Sequence, residues 1–335
     1  MLGRGTAVAL QRRGDDVTVM QRRPSGLTCR EVLGDVADGT AVTQAVQGQD
    51  AVVHLAAKVD VVGAWPEFAR VNIEGTRAVV AGCRTADVRS LVHVSTPSVA
   101  HSGHALVGVG AEPADPSRAR GSYARSKAAA ELDALAADSD DLAVLCIRPH
   151  LVWGPGDTQL VERIVSRARS GRLPVIGSGA ALIDTTYVDN AVEALVSAVD
   201  ACPIAHGQAL VVSNGEPRTV HEIIARLCRA AGVSAPRGRL PGGVAHTGAA
   251  AIEQVWTRLG RTDVPPLTSF LVEQLTTAHW FDQRHTRSVL GWVPEVSLDQ
   301  GFELLTNWYA ERGQWARPGR HPGPSTSRGG YLPKG

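Results

Sequence analysis

Short apolar runs rich in valine alternate along this chain with longer segments of mixed polarity. The runs "DDVTVM" (15–20), "DAVVHLAA" (50–57), "SLVHVST" (90–96) and "LAVLCIRP" (142–149) each read as a buried parallel strand. Between them, 65–86 and 121–138 are amphipathic and long enough to serve as crossover helices. The alternation predicts an α/β fold, a doubly wound parallel sheet with helices on both faces. Beyond residue 150 the alternation weakens and glycine and proline punctuation rises, in "WGPGD", "GSGA" and "APRGRLPGG". A smaller mixed α/β lobe for substrate is therefore expected over 150–185 and 214–315, with 1–149 and 186–213 forming the dinucleotide-binding part. The last stretch, 316–335, has almost nothing to bury and is expected to be disordered.

Composition narrows the partners. The chain has 335 residues, 44% hydrophobic and 20% charged, with 34 basic and 33 acidic residues and a net charge of +1. Such a balance gives no field that would favour nucleic acid or an anionic membrane surface, so a small molecule is the expected partner. Five cysteines lie scattered without CxxC spacing, which suits neither a zinc site nor a disulfide framework and suggests a reducing cytoplasm. No apolar run approaches the roughly 18 residues of a membrane span, and no signal-peptide pattern is present.

Candidate chemistry enters at three places. Gly3 and Gly5 stand where glycines let helix N-terminal amides approach a pyrophosphate. Gln21, 18 residues after Gly3, occupies the strand end where an acidic residue would hold a ribose 2′-hydroxyl. Arg22 and Arg23 follow instead, and guanidinium groups suit a 2′-phosphate, so NADP(H) is expected in preference to NAD(H). The second place is "GSYARSKAAAE" (121–131), where Tyr123 and Lys127 lie four apart on one helix face. A phenol normally titrates near 10, and each tenfold gain in its acidity requires that the phenolate be stabilised by roughly 1.4 kcal/mol, which a fixed ammonium can supply. Tyr123 can then exchange a proton with a substrate oxygen near neutrality. On its own such a pair is more often an exposed helical contact. The third place is "VHVSTPSV" (92–99), whose Thr96 sits at a strand end where open α/β sheets bind ligands, although such hydroxyls also cap turns. In "GDV" (34–36), Asp35 closes a predicted strand within reach of an adenine amino group.

Taken together, "HLAAK" (54–58), "VNIEGT" (71–76), "VHVSTPSV", "YARSK" (123–127), "RPHLVWGPGD" (148–157), "LIDTTYVDN" (182–190) and "WFDQRHTRSVLGWVPEVSLDQGF" (280–302) resemble the extended short-chain dehydrogenase/reductase family over about residues 1–313. The resemblance implies a Rossmann sheet and a nicotinamide cofactor. It is strongest to the branch holding 3β-hydroxysteroid dehydrogenases, sterol-4-carboxylate dehydrogenases and bacterial reductases of long-chain β-keto acids.

By that resemblance Tyr123 is the acid/base, Lys127 lowers its pKa and holds the nicotinamide ribose, and Thr96 completes the triad in place of the usual serine. Asp35 and Val36 contact adenine, Ala56, Ala57 and Lys58 line the phosphate and ribose side, Pro149 and His150 lie beside the nicotinamide, and Asn72 is structural. No metal is implied. A homodimer through 65–86 and 121–138 is a further family expectation. The family opens with a strand and a TGxxGxxG loop, whereas this chain opens at "LGRG", so Gly3 matches only the third glycine. A start assigned too far downstream is expected to account for this, and the absent strand would leave its neighbours with unpaired backbone groups. The expected reaction is hydride transfer between the cofactor and a secondary alcohol or ketone of a hydrophobic substrate. The alternatives are a nucleotide-sugar epimerase and a redox-inactive NADPH-binding protein. A sugar dehydratase fits poorly, because Pro97 and Ser98 replace the Asp-Glu pair such enzymes place after the threonine.

Overall fold

A computed structural model describes residues 1–60, 63–101, 103–259, 265 and 267–313. The tail over 316–335 lies outside the described residues. Helix α1 (Leu2–Arg13) leads into β1 (Thr18–Gln21), β2 (Arg30–Leu33), α2 (Gly39–Val46) and β3 (Ala51–His54). A helical stretch follows, built from α3 (Trp65–Phe68), a π-helical turn (Ala69–Glu74) and α4 (Gly75–Thr85). Next come β4 (Ser90–Val94), a 3-10 turn (Pro97–Ala100), β5 (Leu106–Val109), α5 (Gly121–Leu135), β6 (Ala143–Pro149) and β7 (Val152–Trp153). The remainder holds α6 (Val161–Arg169), β8 (Val175–Ile176), β9 (Leu182–Ile183), β10 (Thr186–Tyr187), α7 (Val188–Ala205), β11 (Gln208–Val212), β12 (Arg218–Thr219), α8 (Val220–Ala230), β13 (Arg239–Leu240), α9 (Gly242–Arg258), α10 (Ser269–Thr276), β14 (His279–Phe281), α11 (Arg284–Leu290) and α12 (Leu298–Glu311).

The central sheet is parallel, in the order β11-β6-β4-β3. Alternation along each strand divides its side chains between two cores. Leu91, Val144 and Cys146 face a cluster with Val42, Val79 and Val80, while Val92, Leu145 and Ile147 face Ala194, Leu195 and Leu210. Both faces are covered, which is why these strands are almost wholly apolar. Helices α2, α4 and α5 cover one face, α7 the other, and α1 packs on α7. Gly5 makes that last contact possible, since a Cβ there would stand 2.7 Å from Val192 Cγ2. Gly14, with φ of +104°, ends α1 in the left-handed conformation and donates its N–H back into the helix.

Four expectations meet a different outcome. The strand expected over 15–20 begins at Thr18, and β1 pairs only with β2; among the described residues neither is hydrogen-bonded to β3. All four β1 residues are accordingly half-buried, in contrast to β4 and β6. The helix expected over 65–86 is interrupted by the π-turn. Helix α5 stops at Leu135, short of 138. Finally β5, which lies within 1–149, joins β14, β9 and β12 in a second sheet, order β12-β9-β14-β5. Its apolar run is too short to reveal its partner, which is more than 170 positions away in sequence, at His279–Phe281.

A buried ion pair ties α5 to β6. Arg148 donates to both carboxylate oxygens of Glu131 (Nε 2.9 Å, Nη2 2.5 Å) and, through Nη1, to the Glu112 carbonyl at 2.7 Å. Both side chains are essentially inaccessible. Removing one partner strands the other charge in an apolar layer, so we expect Glu131→Ala to cost about 3–5 kcal/mol in chemical denaturation. Joint replacement by Glu131→Leu and Arg148→Met should recover most of that loss; a double variant no better than the single one would contradict this account.

Candidate active site

The parallel register sets His54 opposite His93, and His93 opposite Cys146, so one row of side chains crosses the sheet beneath α5. At the C-terminal end of β4 the chain turns through Ser95 and Thr96. Thr96 caps the 3-10 turn, its Oγ1 accepting from the Ser98 N–H at 3.3 Å. The same hydroxyl faces the Tyr123 phenol and acts to lower its pKa. Tyr123 lies in the first turn of α5 and Lys127 one turn further on, on the same face. The structure thus brings together the three residues singled out as a triad.

The electrostatics differ from the sequence expectation in one respect. Burial pushes the Tyr123 phenol up to about 12, and the opposing influence comes from the Thr96 hydroxyl. Lys127 does not supply it, because its ammonium is turned toward the end of β4. Its Nζ donates to the Val94 carbonyl at 2.7 Å and lies 3.3 Å from His93 Nε2. Burial draws Lys127 down to about 8, against the pull of Glu131 one turn along the helix. An ammonium whose hold on its proton is weakened by burial, together with a phenol whose ionisation a neighbouring hydroxyl favours, is an arrangement able to pass a proton to a reacting oxygen.

Asn72 joins this centre to the preceding loop. Its side-chain oxygen accepts from the Lys58 N–H at 2.7 Å, while its amide donates to the Lys58 carbonyl at 3.1 Å and to Ser126 Oγ at 2.8 Å. Ser126 in turn donates to the Tyr123 carbonyl at 2.8 Å. The π-turn supplies the extra residue that aims Asn72 inward, a frequent use of such turns at functional sites. The spacing of "VNIEGT" carries no trace of it.

The residues expected on the cofactor side are spread over several elements. Gly3 sits in the first turn of α1, and a Cβ added there would meet nothing, unlike Gly5. Arg22 and Arg23 are exposed just beyond β1. Asp35 accepts from the Ala37 N–H and pairs with Arg70 at 2.9 Å, which together hold its carboxyl below the usual range. Val36 packs where a Cβ on Gly75 would stand, 2.8 Å away. Ala56 is exposed and Ala57 half-buried; Lys58 bridges Asp60 at 2.9 Å and Glu67 at 3.1 Å. Pro149 ends β6 half-buried.

His150 is buried, its ring 4.9 Å from His279 and 5.0 Å from Phe281 on β14. Leu151 next to it has φ of +43°, a left-handed conformation that a leucine adopts only under constraint. Two buried polar atoms at neighbouring strand ends, Ser95 Oγ and His150 Nδ1, have no hydrogen-bond partner among the described residues. Together with the open space at Gly3, they are what a nicotinamide dinucleotide laid across these strand ends would complete.

Three features escaped the sequence reading. His54 and His93 looked like strand residues only. The Arg120 guanidinium at the N-terminus of α5 reaches buried Glu273 of α10 at 2.9 Å. Asp184, behind β14, takes the Ser213 hydroxyl at 2.8 Å, and burial pushes it up to about 6. A polar residue inside an otherwise apolar strand was the available signal for His54 and His93. In the lobe beyond β6, Val272 of α10 is buried in a small core with Ile176, Ala245 and Ala249. Among the described residues no group of three or more His, Cys, Asp or Glu is arranged to hold a metal ion, and no helix is long and apolar enough to cross a membrane.

Residues 14–241 match the sequence profile described as the 3-beta hydroxysteroid dehydrogenase/isomerase family. The chain belongs to that family. As a 3-beta hydroxysteroid dehydrogenase/isomerase family member it is an oxidoreductase acting on hydroxyl or keto groups with a nicotinamide cofactor. It is 40% identical over 280 residues to a 2-alkyl-3-oxoalkanoate reductase of Stenotrophomonas maltophilia, covering 82% of this chain and 85% of that one. It is 26% identical to a 3-beta-hydroxysteroid dehydrogenase of Mycolicibacterium neoaurum, over 92% of this chain and 89% of the relative. In fold it matches the solved structure of a Bacillus cereus UDP-glucuronic acid 4-epimerase in complex with NAD, with a TM-score of 0.71, 19% identity and coverage of 93% and 96%.

Among the described residues, the buried histidines His54, His93, His101, His150 and His279 have their pKa values drawn down, in each case chiefly by burial. The unfolded chain binds protons at these imidazoles below about pH 6.5, and the folded chain does not. The stability they contribute is therefore present above that pH and lost as pH falls below it, at up to about 1.4 kcal/mol per pH unit for each. Asp184, raised by burial, works in the opposite direction. Scanning calorimetry between pH 7 and pH 5 should show a steadily falling Tm; a flat or rising Tm would refute the neutral assignment.

Proposed function

We propose that this chain is an NADP(H)-preferring reductase of β-keto acyl compounds, running reversibly as a dehydrogenase of the β-hydroxy form. The observation that carries the reading is the convergence of Thr96, Tyr123 and Lys127 at the end of β4, with the phenol beside the Thr96 hydroxyl and the ammonium docked on the Val94 carbonyl. A nicotinamide bound there would supply or accept the hydride. Tyr123 delivers the proton to the carbonyl oxygen, Thr96 orients that oxygen and favours the phenolate left behind, and the Lys127 ammonium, docked on the end of β4, is a proton source for the site. Gly3, Arg22, Arg23, Asp35, Val36, Ala56, Ala57, Lys58, Pro149 and His150 hold the cofactor, on the part comprising 1–149 and 186–213. Substrate is taken by 150–185 and 214–315.

The acyl substrate class is supported by the 40% identity to a 2-alkyl-3-oxoalkanoate reductase, against 26% to the steroid enzyme. The preference for NADP(H) is supported by the two exposed arginines beyond Gln21, a position that itself carries no acid. A homodimer through α3–α4 and α5 accords with Leu132, 43% exposed on α5, and with Trp65 lying outside under the Arg125 guanidinium. Five free cysteines suit a cytoplasmic setting.

Two measurements test this. Replacing Tyr123→Phe should lower kcat for a long-chain β-keto ester roughly 10²–10⁴-fold while NADPH affinity stays nearly unchanged; normal turnover sinks the assignment. Replacing Arg22→Ala together with Arg23→Ala should weaken NADPH binding by about 10–100-fold and leave NADH binding unaffected, since charge-assisted bonds to a phosphate are worth about 1.5–3 kcal/mol. Equal loss for both cofactors would assign the arginines to another task.

A further inference from the structure

We propose that His93 is a positioning residue for Lys127: its Nε2 lone pair holds the ammonium against the end of β4 and sets the pH at which that ammonium gives up its proton. The inference rests on the reading of Lys127 given above, but its geometry stands apart from any activity. An ammonium has three donors and no lone pair, so at 3.3 Å the His93 Nε2 must be the acceptor. The imidazole proton then sits on Nδ1. That nitrogen is buried and has no partner among the described residues. An orphaned N–H in the middle of a strand is a burden that a packing residue would avoid. A valine, like its neighbours Val92 and Val94, would fill the strand without it.

The surroundings keep His93 an acceptor. It is wholly buried, and burial, the Lys127 charge and His54 all oppose its protonation. His54, opposite it on β3, is neutral too: burial and the Lys127 charge take it down to about 3. The Thr76 hydroxyl donates to the Asn72 carbonyl at 2.7 Å, so it accepts from His54 Nε2 at 3.0 Å, which fixes the proton of His54 on that nitrogen. The two imidazoles meet with ring centroids 5.2 Å apart. Among the described residues, the other groups that face Lys127 lie on α5 and β6. On α5 it is Glu131, which favours the ammonium and is itself clasped by Arg148; on β6 it is Cys146, a buried thiol whose pKa is raised. Removing the Nε2 acceptor leaves the Val94 carbonyl alone on the protein side, and a charged donor that loses an acceptor loses its proton more readily.

The test is a direct titration of Lys127 in the ligand-free protein. Protein labelled with 13C at lysine Cε is followed by NMR from pH 6 to pH 11, with Lys127→Met identifying the resonance. Relative to the unsubstituted protein, His93→Phe should lower the Lys127 midpoint by about one pH unit, a tenfold loss of proton affinity. His93→Gln places an amide oxygen near the Nε2 position and should recover most of that affinity. His93→Leu repeats the first measurement should the phenylalanine variant fail to fold, folding being checked by Tm. A midpoint unchanged in a folded His93→Phe or His93→Leu protein, or equal midpoints in the glutamine and leucine variants, overturns the proposal. In the assay, the alkaline limb of kcat/KM should move with the NMR midpoint. Should no variant or parent turn over any β-keto substrate, the functional reading fails while the titration still decides the role of His93.

Discussion

The pairing of β4 with β3 on one side and β6 on the other is the constraint from which the site follows. Because both pairings are parallel and in register, His54, His93 and Cys146 fall in one row, and Leu91 and Val144 in the next row of the same face. That row is the floor on which α5 lies. Lys127 reaches the Val94 carbonyl only because β4 ends there, and Thr96 meets Tyr123 only because the chain leaves the sheet two residues later. A slip of one residue in either pairing would exchange the histidines with their apolar neighbours and leave the ammonium over hydrocarbon.

Helix α5 is held to this floor by polar bonds as well as by its alanines. Glu131 clasps Arg148, Ser126 receives Asn72, and Lys127 docks on β4. The chain places alanine at 124, 128, 130 and 134, all buried, so the helix backbone comes close to the sheet and short polar reaches suffice. In consequence a loop segment, Lys58, and the first turn of α5, at Tyr123, are joined through two side chains, Asn72 and Ser126. The electrostatic character of the region follows from that closeness: His54 and His93 are shut away from solvent and neutral, and the ammonium keeps its charge only with help from its acceptors.

What could be read from the sequence was what local periodicity and spacing determine. Tyr123 and Lys127 are four apart, so a helix puts them on one face whatever else happens; Thr96 follows an apolar run, so it ends a strand. The direction in which Lys127 points is not local. It depends on His93 and Val94, more than 30 positions earlier, and nothing in "VHVSTPSV" says that a lysine will arrive there. Asp35 was legible as a residue past a strand, but its salt bridge to Arg70 joins two segments that sequence spacing cannot relate. The pairing of β5 with β14 is distant in the same way, and the π-turn at Asn72 inserts a residue that no periodicity marks.

The left-handed backbone at Leu151 bears on how this site can drift over generations. At φ of +43° a β-branched side chain meets its own carbonyl neighbours, while glycine and asparagine sit comfortably. Leucine stands there with its side chain packed against the core around Trp153 and Tyr187. Position 151 is therefore a narrow gate in sequence space. Leucine gives packing at the expense of strain, glycine the reverse, and the one-step codon neighbours valine and isoleucine give neither. The bend that turns His150 toward β14 thus links the evolution of a buried core residue to the geometry of the adjoining strand end.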